Sequence, residues 1–119
     1  MRDGTIIAGD FKDGEITGRA IKKYPAEHKY IMYQGEFVDG EFNGYGKLFY
    51  NSSLKSQTDQ EYVGIFSLNS RQGKGKLTKK NGDVYDGEFK SNHPNGLTHV
   101  YFANGNKYEG EVIRSVMTG

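Results

Sequence analysis

An aromatic residue, a glycine and a second large apolar residue recur on alternate positions along this chain. The pattern reads Y-Q-G-E-F at Tyr33, Y-V-G-I-F at Tyr62, Y-D-G-E-F at Tyr85, Y-E-G-E-V at Tyr108 and, more faintly, I-A-G-D-F at Ile7. In a strand, alternation puts all three on one face. The glycine leaves a gap with no Cβ, into which a neighbouring ring can settle against backbone. The five starts are separated by 26, 29, 23 and 23 residues. A period in the twenties marks stacked units, none of which can bury its apolar face alone. The two longer steps have a place for their extra residues. The polar stretch Asn51 to Glu61, and residues 23–29 with Pro25, stand where later modules have tight turns at Asn81-Gly82 and Asn104-Gly105. Both are expected to be looped-out hairpin connections.

Each module carries a second strand. Eleven residues past the aromatic stand Gly18, Gly44, Gly73 and Gly96, and thirteen past it Ala20, Gly46, Gly75 and Thr98. At fifteen come Leu48, Leu77 and Val100, with Ile21 one residue off register in the first module. The expectation is that glycine, small and aliphatic positions all turn to the face that carries the aromatics. Between the strands, seven residues past the aromatic, lie Gly14, Gly40, Asn69 and Asn92. Glycine and asparagine enter the left-handed region most cheaply, so this position is expected to have φ > 0. A helix would lose about 1 kcal/mol per interior glycine against alanine, and this chain has 17. The fold class is all-β: an elongated, twisted antiparallel sheet of consecutive β-hairpins.

The sequence Y-x-G-x-F-x-x-G-x-x-x-G-x-G, as from Tyr33 to Gly46, resembles the MORN repeat (membrane occupation and recognition nexus). The resemblance covers nearly the whole chain and makes residues 1–119 one MORN-type domain, clearest at Tyr33, Tyr62 and Tyr85, weaker at Ile7 and partial at Tyr108. Ala20, Thr98, Asn69, Asn92 and Ile7 depart from the pattern. The resemblance implies a sheet of hairpins with an inner aromatic row. It also implies scaffolding, often at membranes or the cytoskeleton, or attachment to an enzyme such as a lipid kinase or a lysine methyltransferase.

Stacking would line up Tyr33, Tyr62, Tyr85 and Tyr108 in one row and Phe11, Phe37, Phe66 and Phe89 in another. Catalysis finds no support. The Gly73 to Thr78 stretch lacks the spacing and the following helix of a phosphate loop, and no serine has a G-x-S-x-G setting. His28, His93 and His99 show no ligand spacing, and the chain has no cysteine, so neither a metal nor another cofactor is expected. Sixteen Lys plus Arg against fifteen Asp plus Glu give a formal charge of +1, without the basic excess that nucleic-acid binding needs. No apolar run reaches the roughly 20 residues of a membrane span. A cytoplasmic chain is expected, with peripheral attachment to a membrane or the cytoskeleton as the alternative.

Binding chemistry is therefore expected on the face opposite the aromatics, where acidic strands alternate with basic or aromatic ones. Cross-strand charge pairing accounts for much of it. An apolar group, Tyr45, Phe49, Val63, Ile65 and Tyr101, suggests a protein partner. A lysine stripe, Lys74, Lys76 and Lys80, suggests an anionic phospholipid headgroup, blunted by nearby Asp86 and Glu88. A non-catalytic scaffold or protein-interaction module is the favoured function. Peripheral phosphoinositide binding, or service as the repeat part of a larger enzyme, are the alternatives. The strand from Tyr108 to Ile113 is expected to end without a partner strand, and such edges offer a route to self-association.

Overall fold

A computed structural model describes residues 4–113 and 116–117 of the chain, without the side chains of residues 10–12, 15, 116 and 117. The strands are β1 (Ile6–Lys12), β2 (Glu15–Lys23), β3 (Tyr30–Val38), β4 (Glu41–Tyr50), β5 (Asp59–Ser67), β6 (Ser70–Lys79), β7 (Val84–Lys90), β8 (His93–Tyr101), β9 (Lys107–Ile113) and β10 (Val116–Met117). They form one antiparallel sheet in chain order, each strand bonded to the next. The body measures 47 × 27 × 17 Å. Nine strands at about 4.8 Å apart make up most of the longest dimension, so the long axis runs across the strands.

The turns inside the hairpins carry φ > 0 at both central residues: Asp13 and Gly14, Asp39 and Gly40, Leu68 and Asn69, Ser91 and Asn92. That is the type I′ geometry whose twist matches the flanking strands. Each of the last three turns also hooks onto the preceding module. The Gly40 amide donates to Ile16 O at 3.0 Å, Asn69 to Phe42 O at 2.9 Å and Asn92 to Arg71 O at 3.1 Å. The two asparagines add a second bond, as Oδ1 of Asn69 and Asn92 accepts from the amides of Phe42 and Arg71, each at 2.8 Å. Asparagine in place of glycine is thus a clip between hairpins.

On the inner face, small residues make one continuous row across the sheet: Gly9, Ala20, Gly35, Gly46, Gly64, Gly75, Gly87, Thr98 and Gly110. The tyrosine rings lie over it. A Cβ at Gly46 would fall inside the van der Waals shell of the Tyr33 phenol, and one at Gly75 inside that of Tyr62. Both tyrosines are fully buried, at 0% exposure. Their hydroxyls donate to Glu36 O at 2.9 Å and Ile65 O at 3.0 Å. Phe37, Phe66 and Phe89 are buried beside them, while Phe11 lies among the undescribed side chains. The row is less uniform than expected, because Tyr85 and Tyr108 are only half-buried. For Tyr85 the cause is local: Thr98, itself fully buried, occupies the seat that glycine leaves open in the two preceding modules.

Three other expectations need correction. Ile21 does not slip register to join the inner face; it pairs with Ala8 and Gln34 on the outer one, and Lys22 takes the inner position opposite Tyr33. The lysine stem can lie along the aromatics because its Nζ reaches out over the Tyr24 ring at 5.1 Å. The glycines eleven past the aromatic stand opposite the inner-face residues Phe37, Phe66, Phe89 and Val112. Yet a Cβ on Gly44 or Gly73 would meet outer-face Glu36 or Ile65 instead of a ring. These glycines lie at bulges, with φ of 78° at Gly18, 105° at Gly44, 99° at Gly73 and 120° at Gly96. The register shifts there, where the second strand carries extra residues opposite the first. Finally, β9 does have a partner strand, since Val116 and Met117 pair with Ile113 and Val112.

Candidate interaction face

The position nine residues past each aromatic also turns inward. Ile16, Phe42, Arg71 and Pro94 occupy it and are all buried. Phe42 stacks on Tyr33 with ring centroids 3.8 Å apart. In the next module the same place holds Arg71, 8% exposed, whose guanidinium lies 5.8 Å from the rings of Tyr62 and Phe89. Its Nη1 donates to Asp59 Oδ2 at 3.0 Å and to Tyr50 Oη at 3.1 Å. Its Nε donates to Asn92 O at 3.0 Å, and Nη2 bonds the same carbonyl. Lys79 Nζ completes the group, 2.6 Å from Asp59 Oδ1. Burial alone would raise the Asp59 carboxyl, but the Lys79 hydrogen bond and the Arg71 charge outweigh it and hold it below the usual carboxylate value. Every polar end here is satisfied, so the cluster braces the fold and leaves nothing to bind a ligand.

The two looped-out connections close over the same face. Asn51 Nδ2 donates to Ala26 O at 2.8 Å and His28 O at 3.0 Å, tying residues 51–58 to residues 24–29. Tyr24 stacks on His28 at 4.4 Å and meets Tyr30 edge-on at 5.4 Å. Burial raises the phenols of Tyr24, Tyr33 and Tyr50 far above their ordinary value and pushes Tyr62 up to about 12. Composition marked these loops as polar insertions; their role in roofing the inner face was not read from it. Inner-face residues are thereby committed to packing.

The outer face is open. One row of directly opposed residues crosses nine strands: Ala8, Ile21, Gln34, Lys47, Val63, Lys76, Asp86, His99 and Glu109. Four of the five apolar candidates come together on β4 and β5. Tyr45 faces Ile65 across the strands, Val63 faces Lys47, and Phe49 lies between Met32 and Glu61. Tyr45 is 50% exposed and Ile65 38%, whereas Phe49 is half-buried beneath Lys47, whose Nζ stands 5.0 Å from its ring. Tyr101 lies apart from them, on β8 between Val84 and Lys107.

The lysines divide. Lys74 and Lys76 share the outer face of β6, directly across from Glu88 and Asp86. Lys80 is in the turn after β6, where its amide donates to Thr58 O at 2.8 Å and its Nζ lies 3.4 Å from Leu54 O. It belongs with the insertion loop. Two further ion pairs lie on the outer face, Lys47–Glu61 at 4.0 Å and His99–Glu109 at 3.4 Å, the second existing only when His99 is protonated. A groove of about 460 Å³ runs over β1 to β5, walled by Arg19, Ile21, Gln34, Tyr45, Lys47 and Val63. A hollow of about 390 Å³ lies farther along, between Lys74, Glu88, Leu97 and His99. Among the described residues no group of three His, Cys, Asp or Glu is placed to hold a metal ion, and no helix is long and apolar enough to cross a membrane.

The MORN-repeat family model matches residues 33–54, 62–84 and 85–107. The chain belongs to the MORN-repeat family. It is also similar to alsin: the human and mouse proteins are each 30% identical to it over 99 residues, which take in 82% of this chain and 6% of alsin. The chain thus spans a small fraction of the length of the curated relatives it matches. Outside the three matched repeats, β1–β2 makes the same hairpin with the same I′ turn, and β9 repeats the tyrosine–glycine step. MORN repeats generally serve as interaction modules toward proteins or membrane lipids.

Proposed function

We propose that this chain is a non-catalytic interaction module that presents the outer face of its sheet to a partner protein. One observation carries this reading: Tyr45 and Ile65 stand directly opposed and solvent-exposed at the middle of that face, beside Val63. An exposed aromatic with aliphatic neighbours on a rigid sheet is the kind of anchor on which protein interfaces concentrate their binding energy. The inner face, by contrast, is occupied by its own rings. Lipid binding through Lys74, Lys76 and Lys80 has less support, because Asp86 and Glu88 face the first two and Lys80 lies with the loop. An anionic headgroup brought to β6 would meet two carboxylates within about 5 Å of the lysines, the spacing of directly opposed strands.

Affinity capture with the immobilised chain from its source cell tests this. The wild type is compared with Tyr45→Ser/Ile65→Ser and with Lys74→Glu/Lys76→Glu, alongside flotation with phosphoinositide-containing vesicles. A captured protein that is lost only in the apolar variant is the expected result. Vesicle binding that disappears with the lysine variant, together with a captured set indifferent to Tyr45 and Ile65, overturns the reading in favour of lipid.

A further inference from the structure

We propose that the groove over β1 to β5 accepts a segment of the partner protein in which an acidic side chain stands next to an apolar one. This rests on the outer face being a protein-binding surface and names what that surface recognises. Arg19 lies directly across from Glu36 on β3, an arrangement that would ordinarily make a surface ion pair. Glu36 is engaged elsewhere. Its Oε2 accepts the Tyr45 amide at 2.6 Å, within the bulge that Gly44 opens on β4. A Cβ at Gly44 would meet that same carboxylate at 2.7 Å, so the glycine is what lets Glu36 turn toward β4.

The consequence falls on Arg19. No described carboxylate lies within ion-pair distance of its guanidinium, and it lines the groove exposed. Lys47, two strands away, lines the groove too, and among the described residues its carboxylate partner is Glu61, at 4.0 Å. Two strand spacings and a two-residue offset along the strands put the two cations' backbones about 12 Å apart. Between and beside them lie the apolar flanks of Ile21, Tyr45 and Val63, with the amide of Gln34 in the row. A guanidinium binds a carboxylate in a forked geometry. The aliphatic and phenolic walls take the neighbouring apolar side chain. A multiply charged phosphate headgroup suits the groove less well, since Glu36 and Glu61 border it and would repel a second and third negative charge.

The test is peptide selection on the immobilised full chain with a random twelve-residue display library, followed by titration of a labelled synthetic copy of the enriched peptide. The expected result is enrichment of Asp or Glu adjacent to Leu, Ile, Phe or Tyr. Binding should weaken at least tenfold in Arg19→Glu/Lys47→Glu and fall as salt rises. Lys74→Glu/Lys76→Glu makes the same charge change one strand beyond the groove and should change affinity by less than threefold. Thermal melts of all variants show that the sheet is intact, as these side chains face solvent. Enrichment without acidic residues, no enrichment, or binding indifferent to Arg19 and Lys47 overturns the proposal. If Tyr45→Ser/Ile65→Ser abolishes capture of the cellular partner while Arg19→Glu/Lys47→Glu keeps it, the interaction-module reading stands and the acidic segment falls. Vesicles of phosphatidylserine that bind through Arg19 and Lys47 with no peptide enriched would reassign the groove to an anionic membrane surface.

Discussion

Replacing Gly75 by alanine puts the central packing claim at risk. The added methyl would fall on the Tyr62 phenol oxygen and the ring carbons next to it, while on its other side the backbone of the sheet leaves no retreat. Tyr62 must then lift from its seat. Lifting it loosens two edge-to-face contacts, to Phe66 and to Phe89, both with centroids at 5.0 Å. Such pairs contribute about 0.5–1.5 kcal/mol each beyond burial. The hydroxyl bond to Ile65 O is stretched or lost as well, at about 1 kcal/mol. With the overpacking strain of about 1–3 kcal/mol, the loss comes to about 3–7 kcal/mol. A chain of this length has about 6–18 kcal/mol in total, so the variant should still fold unless the wild type lies at the bottom of that range. Urea unfolding followed by near-ultraviolet circular dichroism measures the loss, and the melting temperature should drop by about 4 °C for each kcal/mol. Tyr62→Phe/Gly75→Ala removes the atom nearest the new methyl and should recover about 1–2 kcal/mol of coupling in a double-mutant cycle. A cost below about 1 kcal/mol for Gly75→Ala, well under the overpacking range, with no coupling to Tyr62, would refute the seat-and-ring account.

Three further outcomes are expected. Asp59→Asn should destabilise the chain by about 3–5 kcal/mol by leaving the buried Arg71 charge uncompensated; because the folded-state carboxyl of Asp59 is depressed, its contribution is fully present above about pH 4 and lost as pH falls below that, which acid titration of the unfolding free energy reads. The phenols of Tyr24, Tyr33, Tyr50 and Tyr62 are raised by burial, so their stabilising contribution is complete below about pH 10 and lost as pH rises through the folded-state values; absorbance at the phenolate band should rise together with unfolding. Asn92→Gly keeps the turn's φ but removes the bond to the Arg71 amide, at about 1 kcal/mol, whereas Asn92→Ala adds left-handed strain of about 1 kcal/mol; urea midpoints should rank Asn above Gly above Ala.

The fold was legible because two periodicities agree. Alternation within Y-x-G-x-F points to strands, and the 23-residue step says that the strands repeat as hairpins. The left-handed turn residues were legible too, since glycine and asparagine share a backbone preference that few others have. What escaped is what a one-strand alternation rule cannot express. The bulge glycines break the register between Gly35 and Phe37 and between Gly64 and Phe66, so counting by twos from Gly44 or Gly73 assigns them a role they do not have. Arg71 was hidden by its own chemistry: a charged residue reads as surface, although its alignment with Ile16 and Phe42, nine past each aromatic, would have placed it inside. The same alignment would have found Phe42. On the outer face Lys80 was read into the β6 row although it lies in the turn beyond it, and the neighbours across the strands were not read at all. That is why Tyr101 was grouped with Tyr45, and why Arg19, whose partner turns away to a bulge, was not considered.

Because each hairpin lies beside the last and the long axis crosses the strands, tension applied between the ends of the array loads the rungs of hydrogen bonds head-on instead of in shear. Such a ladder opens rung by rung at modest force. Where Thr98 keeps Tyr85 from its seat, the sheet is less riveted than at Tyr33 and Tyr62, and a pull should peel the hairpins from that side toward the fully seated middle.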